Sequence, residues 1–156
     1  MVDSRQKGAR AESAMVKLLK EETGLNWKRV PGSGALHEDH GLKGDVYIPN
    51  EHNYYACEVK HYKDCHLTSQ VLTSKTPQLL EWWTQAVRQG TQTNKRPILF
   101  FKHDRSKWFV MMNLHDPMQL PLEHLKCIAL YPEKVIIFTF DVWVNNVLLY
   151  IEWIKE

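Results

Sequence analysis

A chain of 156 residues has the length of one ordinary domain, so we predict a single domain over residues 1–156. Its hydrophobic share of 44% and charged share of 24% are those of a globular protein and exclude a disordered one. Residues 1–110 hold 17 Lys and Arg against 12 Asp and Glu, whereas residues 111–156 hold 3 against 6. This distribution suits a nucleic-acid-binding face in the front half, although excess positive charge is also common on solvated surfaces.

The first predicted element is an amphipathic helix over residues 5–23, with an apolar stripe on one side and charged residues on the other. The stripe consists of Ala11, Met15, Leu18 and Leu19. Gly24 should end this helix, because glycine tolerates left-handed geometry. A short strand over residues 26–30 is then expected to lead into a loop rich in glycine.

The middle of the chain predicts a β-hairpin over residues 45–62, because two runs rich in aromatic and β-branched residues enclose a turn at Pro49 and Asn50. A helix over residues 77–89 should follow, with Gly90 beyond its end.

The remaining elements are expected to complete a sheet. Residues 96–104 and 107–114 predict two strands, and the tail from Glu133 should begin as a strand and continue, to Ile154, as a helix that Asp141 could cap. The order of elements predicts an α/β domain with a central mixed β-sheet flanked by helices.

Two acidic residues and a lysine are brought together by the predicted hairpin. Asp45 stands at the head of the first strand, and Glu58 and Lys60 share one face of the returning strand because side chains alternate along a strand. Two carboxylates on one face bind a hard cation, and Mg²⁺ prefers one or two carboxylates together with water and phosphate. The Val59 carbonyl could add a further oxygen ligand.

The chemistry expected of this group is hydrolysis of a phosphodiester. The metal would lower the pKa of a bound water and neutralise charge on the phosphate. Lys60 could orient the water and stabilise the pentacovalent phosphate, and Glu12 on the first helix could add an outer oxygen or help to orient the water. By itself the pattern is weak, since Asp45, Glu58 and Lys60 are also compatible with ordinary half-exposed strand residues.

Five ordered motifs make the pattern more specific. They are KGARAE at 7–12, PGSG at 31–34, GDVYIP at 44–49, CEVKHYKD at 57–64 and RPILFFK at 96–102. With these motifs the sequence resembles the archaeal-type Holliday junction resolvases, which are also found in viruses and belong to the PD-(D/E)xK nucleases. The resemblance spans roughly the first two thirds of the chain and implies a restriction-endonuclease-like core.

The resemblance also implies roles for single residues, a cofactor and partners. Glu12 resembles the family's helix glutamate, Ser33 the serine of its flexible loop, and Asp45, Glu58 and Lys60 its metal-binding and catalytic core. The implied cofactor is Mg²⁺, for which Mn²⁺ could substitute. The implied partners are branched DNA, in particular the four-way junction, and a second copy of the chain in a homodimer.

Basic and polar residues outside this core are candidates for DNA contacts. Arg5, Lys7 and Arg10 could hold phosphates near the amino end of the first helix, where free amide groups also favour anions. A solvated basic helix end is an equally simple alternative. The further candidates are Lys28, Arg29, Ser33, Lys63 and, on the second helix, Gln85.

Two other groups of residues leave alternatives open. The HEDH run at 37–40 and the set Cys57, His61, Cys65 and His66 could be imagined as metal ligands, but their spacing and the alternating strand faces disfavour zinc. Five tryptophans could stack on unpaired bases, although burial in the core or in a dimer interface is the simpler expectation. They are Trp82, Trp83, Trp108, Trp143 and Trp153.

The sequence also predicts a compartment. The longest apolar stretch, Val142 to Ile154, is interrupted by polar residues and is shorter than the roughly 20 residues of a membrane span, so no membrane contact is expected. The first residues lack an apolar signal core, and the three cysteines suggest free thiols. We therefore expect a cytoplasmic protein, associated with the nucleoid or, if viral, present in the host cytoplasm.

The function that these patterns favour is a Mg²⁺-dependent endodeoxyribonuclease that cleaves four-way junctions. Two alternatives stay open. One is a nuclease with the same core that acts on other branched or duplex DNA, and the other is a non-catalytic DNA-binding module with the same fold.

Overall fold

The described part of the chain begins with a helix, α1 (Ser4–Thr23). The computed structural model describes residues 4–31 and 44–156, without the side chains of Ser4 and Arg5. One side of α1 buries Ala11, Met15 and Leu19 against the sheet. The helix ends at Gly24, which has a φ of 71° and donates its amide hydrogen to the Lys20 carbonyl. The predicted helix and its end are confirmed.

Seven strands of the described residues form one sheet. They are β1 (Lys28–Arg29), β2 (Val46–Tyr47), β3 (Tyr55–Tyr62), β4 (Arg96–His103), β5 (Phe109–Asn113), β6 (Ile128–Leu130) and β7 (Val135–Thr139). Their order across the sheet is β1-β2-β3-β4-β5-β7-β6. The β3 and β4 strands are parallel, and all other neighbouring pairs are antiparallel. The predicted mixed sheet of an α/β domain is therefore confirmed.

Helices cover both faces of this sheet. The α2 (Gln70–Thr73) and α3 (Gln78–Thr93) helices lie between β3 and β4, and α4 (Phe140–Asn146) follows β7. Two single turns of 3-10 helix span Leu122–His124 and Leu148–Tyr150. Among the helices of the described residues, none combines the length and the hydropathy that crossing a membrane requires.

The core is divided by the sheet into two apolar layers. The α1 and α4 helices pack on the face formed by Cys57, Val59, Ile98, Phe100, Val110 and Phe138. The α3 helix packs on the opposite face, formed by Leu99, Phe101, Met111, Val135 and Ile137. Residues of both faces alternate along β4, as side chains do in an extended strand that is buried on both sides.

The predicted hairpin consists of β2 and β3, which pair with Val46 opposite Cys57. Since β2 has two residues and β3 has eight, β3 extends well beyond the part of its edge that β2 covers. This difference in length leaves room at the β3 edge for side chains from other elements.

The α3 helix is longer than predicted. It does not stop before Gly90 but continues to Thr93, and Asn94 ends it with a φ of 54°. Gly90 is required for packing, because a Cβ at this position would lie 2.5 Å from the Lys95 carbonyl oxygen. The glycine therefore marks a close approach of two backbones and not the end of the helix.

The predicted C-terminal helix is wrong in its cap and in its length. Thr139, and not Asp141, caps α4, since its hydroxyl oxygen accepts a hydrogen bond of 3.3 Å from the Val142 amide. The helix ends at Asn146, and the chain does not continue as a helix to Ile154.

Long-range contacts explain why the tail is extended. The tail binds the segment before β3: the Tyr54 amide donates to the Trp153 carbonyl (2.9 Å), and the Lys155 amide donates to the His52 carbonyl (2.9 Å). Asn53 and Ile154 also form an antiparallel bridge. The Trp153 ring also lies edge-on to Trp27, with 5.0 Å between ring centroids. These partners satisfy the backbone that a helix would otherwise satisfy locally.

Candidate active site

The four side chains predicted to form the catalytic core approach one another at the edge of β3. Asp45 immediately precedes β2, and its Oδ2 accepts a hydrogen bond of 2.7 Å from the Val59 amide. Val59 packs in the layer under α1, so Glu58 and Lys60 on either side of it project to the α3 face. Glu12 comes from α1, and its carboxyl lies within electrostatic reach of Asp45.

The position of Asp45 depends on Gly44. Gly44 has a φ of 93°, and a Cβ at this residue would lie 2.7 Å from the Cys57 carbonyl oxygen and 2.9 Å from the Cys57 nitrogen. The Asp45 amide donates a hydrogen bond of 2.7 Å to the same carbonyl. Only glycine permits this approach, so the Gly-Asp pair sets the carboxylate against the β3 backbone.

The backbone of Val59 faces the same site. In a strand, the N–H and C=O groups of one residue point to the same edge. Since the Val59 amide donates to Asp45, the Val59 carbonyl is directed to the edge where the carboxylates meet. This geometry is compatible with the predicted use of that carbonyl as a metal ligand.

Glu58 is a buried acid next to another acid. Its side chain is 2% exposed, and its Oε1 atom has no hydrogen-bond partner among the described residues. Burial, and then the charge of Asp45, raise the pKa of Glu58 to about 8, although the charge of Lys60 acts in the opposite direction. A buried carboxyl with an unsatisfied oxygen is a place where a cation would be stabilising.

Glu12 is held at the rim of this group. Burial and the charge of Asp45 raise the pKa of Glu12, whereas Arg29 lowers it. The Arg29 Nε atom lies 2.8 Å from Glu12 Oε2. Arg29 thus compensates part of the negative charge at the entrance, whereas Glu58 Oε1 has no hydrogen-bond partner among the described residues.

This donor set fits a hard divalent cation. Glu58 offers an unsatisfied buried oxygen, Asp45 is fixed beside it, and Val59 directs a carbonyl to the same edge. No group of three or more His, Cys, Asp or Glu side chains is assembled as a complete metal shell in residues 4–31 and 44–156. Mg²⁺ does not need one, because it commonly keeps several waters and binds one or two carboxylates together with phosphate.

The predicted DNA contacts lie at several places around this site. Arg10, Lys28 and Lys63 are exposed, and Gln85 is half-buried on α3. Arg29 has the Glu12 partner described above. Ser33 and the side chain of Arg5 lie outside the described residues, so their predicted roles stay predictions.

Lys7 belongs to a small charged cluster that the sequence did not reveal. Its Nζ atom lies 3.0 Å from Asp104 Oδ1, and the same oxygen lies 2.9 Å from His61 Nε2. Burial lowers the pKa of His61, and its contact with Asp104 acts against that effect. Asp104 follows β4 directly, so the pairing joins α1 to the ends of β3 and β4.

The tryptophans are mostly core residues, as expected. Trp82, Trp83, Trp143 and Trp153 are buried, and Trp108 is half-buried with Lys102 Nζ 5.6 Å from its ring centroid. Of the residues considered as a zinc set, Cys57 is buried in the layer under α1. The HEDH run at 37–40 lies outside the described residues.

Two features of the site were missed in the sequence although a signal was present. The GDVYIP motif included Gly44, but its need for a positive φ follows only from the approach to Cys57. Tyr62 stands four residues after Glu58 and therefore on the same face of β3, which alternation alone could have indicated.

Comparisons with known proteins found a matching family model, a curated relative and a similar solved structure. A family model described as "Phage putative PDDEXK endonuclease" matches residues 3–151, a span that includes Glu12, Asp45, Glu58 and Lys60. Protein D14 of Escherichia phage T5 is 40% identical over 150 residues, which are 93% of this chain and 94% of that protein. A similar solved structure is that of Archaeoglobus fulgidus Hjc, a Holliday junction resolvase from an archaeal hyperthermophile. Its alignment with this chain covers 90% of each chain, with 20% sequence identity and a TM-score of 0.41.

Proposed function

This chain belongs to the family of phage PDDEXK endonucleases, and we propose that it is a Mg²⁺-dependent endodeoxyribonuclease that cleaves branched DNA, in particular four-way junctions. Family membership confirms the predicted nuclease class. The proposed metal dependence rests on Glu58: its buried Oε1 atom has no hydrogen-bond partner among the described residues, and its pKa is raised to about 8. Because a carboxyl group must lose its proton to bind a metal, a cation at this position would displace the proton of Glu58.

Asp45, Glu58 and the Val59 carbonyl are the proposed metal ligands. Asp45 is oriented by the Val59 amide, and Glu58 would bind the cation as a carboxylate. When bound, the divalent cation supplies charge that neutralises the phosphate oxygens and activates the attacking water. Mn²⁺, with the same preference for oxygen ligands, is the proposed substitute.

Lys60 and Glu12 are the proposed partners of the reacting groups. Lys60 is half-buried on the face of β3 that carries Glu58, so its ammonium is directed to the same site. There it orients the water and stabilises the negative charge that grows on the phosphate. Glu12 lies near Asp45 and orients the water from the α1 side, while Arg29 holds the Glu12 carboxyl.

The proposed substrate rests on the five ordered motifs and on the basic residues around the site. Arg10, Lys28 and Lys63 are proposed to contact phosphates of DNA, whereas Lys7 would reach phosphate only without its partner Asp104, and Ser33 is proposed to act from the segment before Asp45. A homodimer of single-domain chains would present two active sites, which is what paired cuts on opposite strands of a junction require.

The metal dependence is tested with a synthetic four-way junction titrated with Mg²⁺, with Mn²⁺, or with a chelator. Glu58→Ala and Asp45→Asn should abolish nicking and leave binding of the junction nearly unchanged, because phosphate contacts elsewhere supply most of the affinity. The controls are Glu21→Ala and Asp141→Asn at exposed positions, which should cut like the wild type. Normal turnover by Glu58→Ala would contradict the proposed site.

The substrate is tested by competition. The junction should be cut into paired, symmetric nicks in the presence of excess linear duplex of the same sequence, and the protein should sediment as a dimer. Equal cleavage of junction and duplex would instead indicate a nuclease for other DNA. Binding without any metal-dependent nicking would indicate a non-catalytic module.

A further inference from the structure

Tyr62 is an exposed aromatic residue on the catalytic face of β3. It is the last residue of the strand and follows Lys60 by two positions, so Glu58, Lys60 and Tyr62 project from the same face. Tyr62 is 43% exposed, whereas the first five residues of β3 are buried.

The Tyr62 ring is held in place by a buried partner. It stacks on Trp82 of α3 with 4.7 Å between ring centroids and an angle of 27° between the planes. Trp82 is 5% exposed and is packed edge-on by His66 at 4.9 Å, so the supporting ring has little freedom to move. His66 also lies edge-on to Tyr62, with 6.1 Å between ring centroids, so the exposed part of Tyr62 lies away from Trp82 and His66.

The surroundings of this ring suit a nucleotide. Lys60 lies about 7 Å away along the strand, at about 3.3 Å per residue, and Lys63, which follows Tyr62 in the sequence, is exposed. Two acidic residues lie nearby: Asp64, two positions along the sequence, and Asp104, whose amide donates to the Tyr62 carbonyl (3.0 Å) and whose carboxylate is paired with Lys7 and His61. Proteins bind single-stranded nucleic acid by combining aromatic surfaces, on which bases stack, with nearby cationic side chains.

Resting on the proposed nuclease function, we propose that Tyr62, supported by Trp82, is a stacking platform for an unpaired nucleobase next to the phosphate that is cut. A base within a duplex has both faces covered by its neighbours, so the platform is available only to a base that is unpaired or displaced. The platform therefore favours DNA at a branch point, a flap or a single-stranded gap over continuous duplex. Because Trp82 already orients the ring, binding a base costs little further ordering.

The test uses Tyr62→Phe and Tyr62→Leu with 2-aminopurine placed at an unpaired position of the substrate. Phenylalanine keeps the aromatic face, whereas leucine keeps an apolar contact with Trp82 but offers no ring. With metal chelated, the wild type and Tyr62→Phe should quench the fluorescence, and Tyr62→Leu should not. Tyr62→Leu should also bind this substrate roughly 5- to 100-fold more weakly, with affinity for fully paired duplex unchanged.

The same experiment separates the platform from the nuclease function. Thermal unfolding first checks that Tyr62→Leu is folded, and cleavage by the wild type is measured independently in Mg²⁺. If the wild type cuts DNA while Tyr62→Leu binds and quenches like the wild type, the platform is overturned and the nuclease function stands. If the wild type binds and quenches but cuts no DNA with any divalent metal, the nuclease function fails. A wild type that binds no DNA overturns both.

Discussion

Replacement of Glu58 by glutamine is expected to stabilise the metal-free protein while it abolishes cleavage. Burial, and then the charge of Asp45, raise the pKa of Glu58 from an ordinary 4.5 to about 8. Because the pKa in the folded state exceeds that in the unfolded state, the stability associated with this group is complete below about pH 4.5 and is lost as the pH rises towards 8. Glutamine carries no charge across this range and avoids the loss.

The size of the effect follows from the two pKa values. Relative to low pH, the raised pKa of Glu58 lowers the free energy of unfolding by about 3 kcal/mol at pH 7 and by about 5 kcal/mol at pH 9, at about 1.4 kcal/mol for each pH unit between the two pKa values. At pH 5 the cost is below about 1 kcal/mol by the same relation. The advantage of Glu58→Gln over the wild type should therefore grow with pH by several kcal/mol.

Urea unfolding at pH 5, 7 and 9 in the presence of a chelator measures this difference. Glu21→Gln is the matched control, because Glu21 is an exposed glutamate on α1 and its replacement should leave the pH dependence unchanged. Addition of Mg²⁺ should reverse the order at pH 8, since the cation stabilises the wild type by mass action and has lost a ligand in Glu58→Gln. A difference between the two proteins that stays constant from pH 5 to pH 9 would refute the raised pKa of Glu58.

Three further substitutions test other parts of the site. Lys60→Met should lower the single-turnover rate of cleavage about 100-fold or more and preserve the thermal shift caused by Mg²⁺, whereas Lys17→Met on the exposed side of α1 should alter neither. Gly44→Ala should lower the free energy of unfolding by about 3 kcal/mol or more, because the new Cβ would lie 2.7 Å from the Cys57 carbonyl oxygen. The control is Gly24→Ala, whose new Cβ would have no atom within 4 Å, and an equal or smaller loss in Gly44→Ala would disprove the contact with Cys57. Asp104→Asn should free the Lys7 ammonium from its ion pair, so that it can contact a DNA phosphate. DNA should then bind more tightly, and the slope of log affinity against log salt concentration should steepen by about 1. An unchanged slope, equal to that of Asp141→Asn, would show that Lys7 does not reach DNA.

Local pattern was sufficient to predict the elements that carry the chemistry. Alternation along 55–62 separates Glu58 and Lys60 from the core residue Val59, and the turn after Pro49 returns the chain beside Asp45. Gly24 ends α1 for a local reason, its positive φ. These features depend on neighbours in the sequence, which is why the sequence indicated them.

The features that were not predicted depend on contacts between distant segments. Gly90 remains inside α3 because of the approach to Lys95, which a propensity for ending helices does not foresee. The β6 strand was not expected because two of its three residues, Ile128 and Ala129, are exposed and the strand is short. In the site, the pairing of Arg29 with Glu12 and of Lys7 with Asp104 joins residues far apart in the chain.

The same dependence on distant contacts affects when β3, the strand of Glu58 and Lys60, can form during protein synthesis. The segment that precedes β3 is bound by Trp153, Ile154 and Lys155, whereas Asp45 and Glu58 are translated long before them. A nascent chain on the ribosome thus carries its acidic residues before it has the segment that anchors their strand. We expect a nuclease of this design to acquire activity only after residue 155 has left the exit tunnel, and prematurely terminated chains to be harmless to DNA.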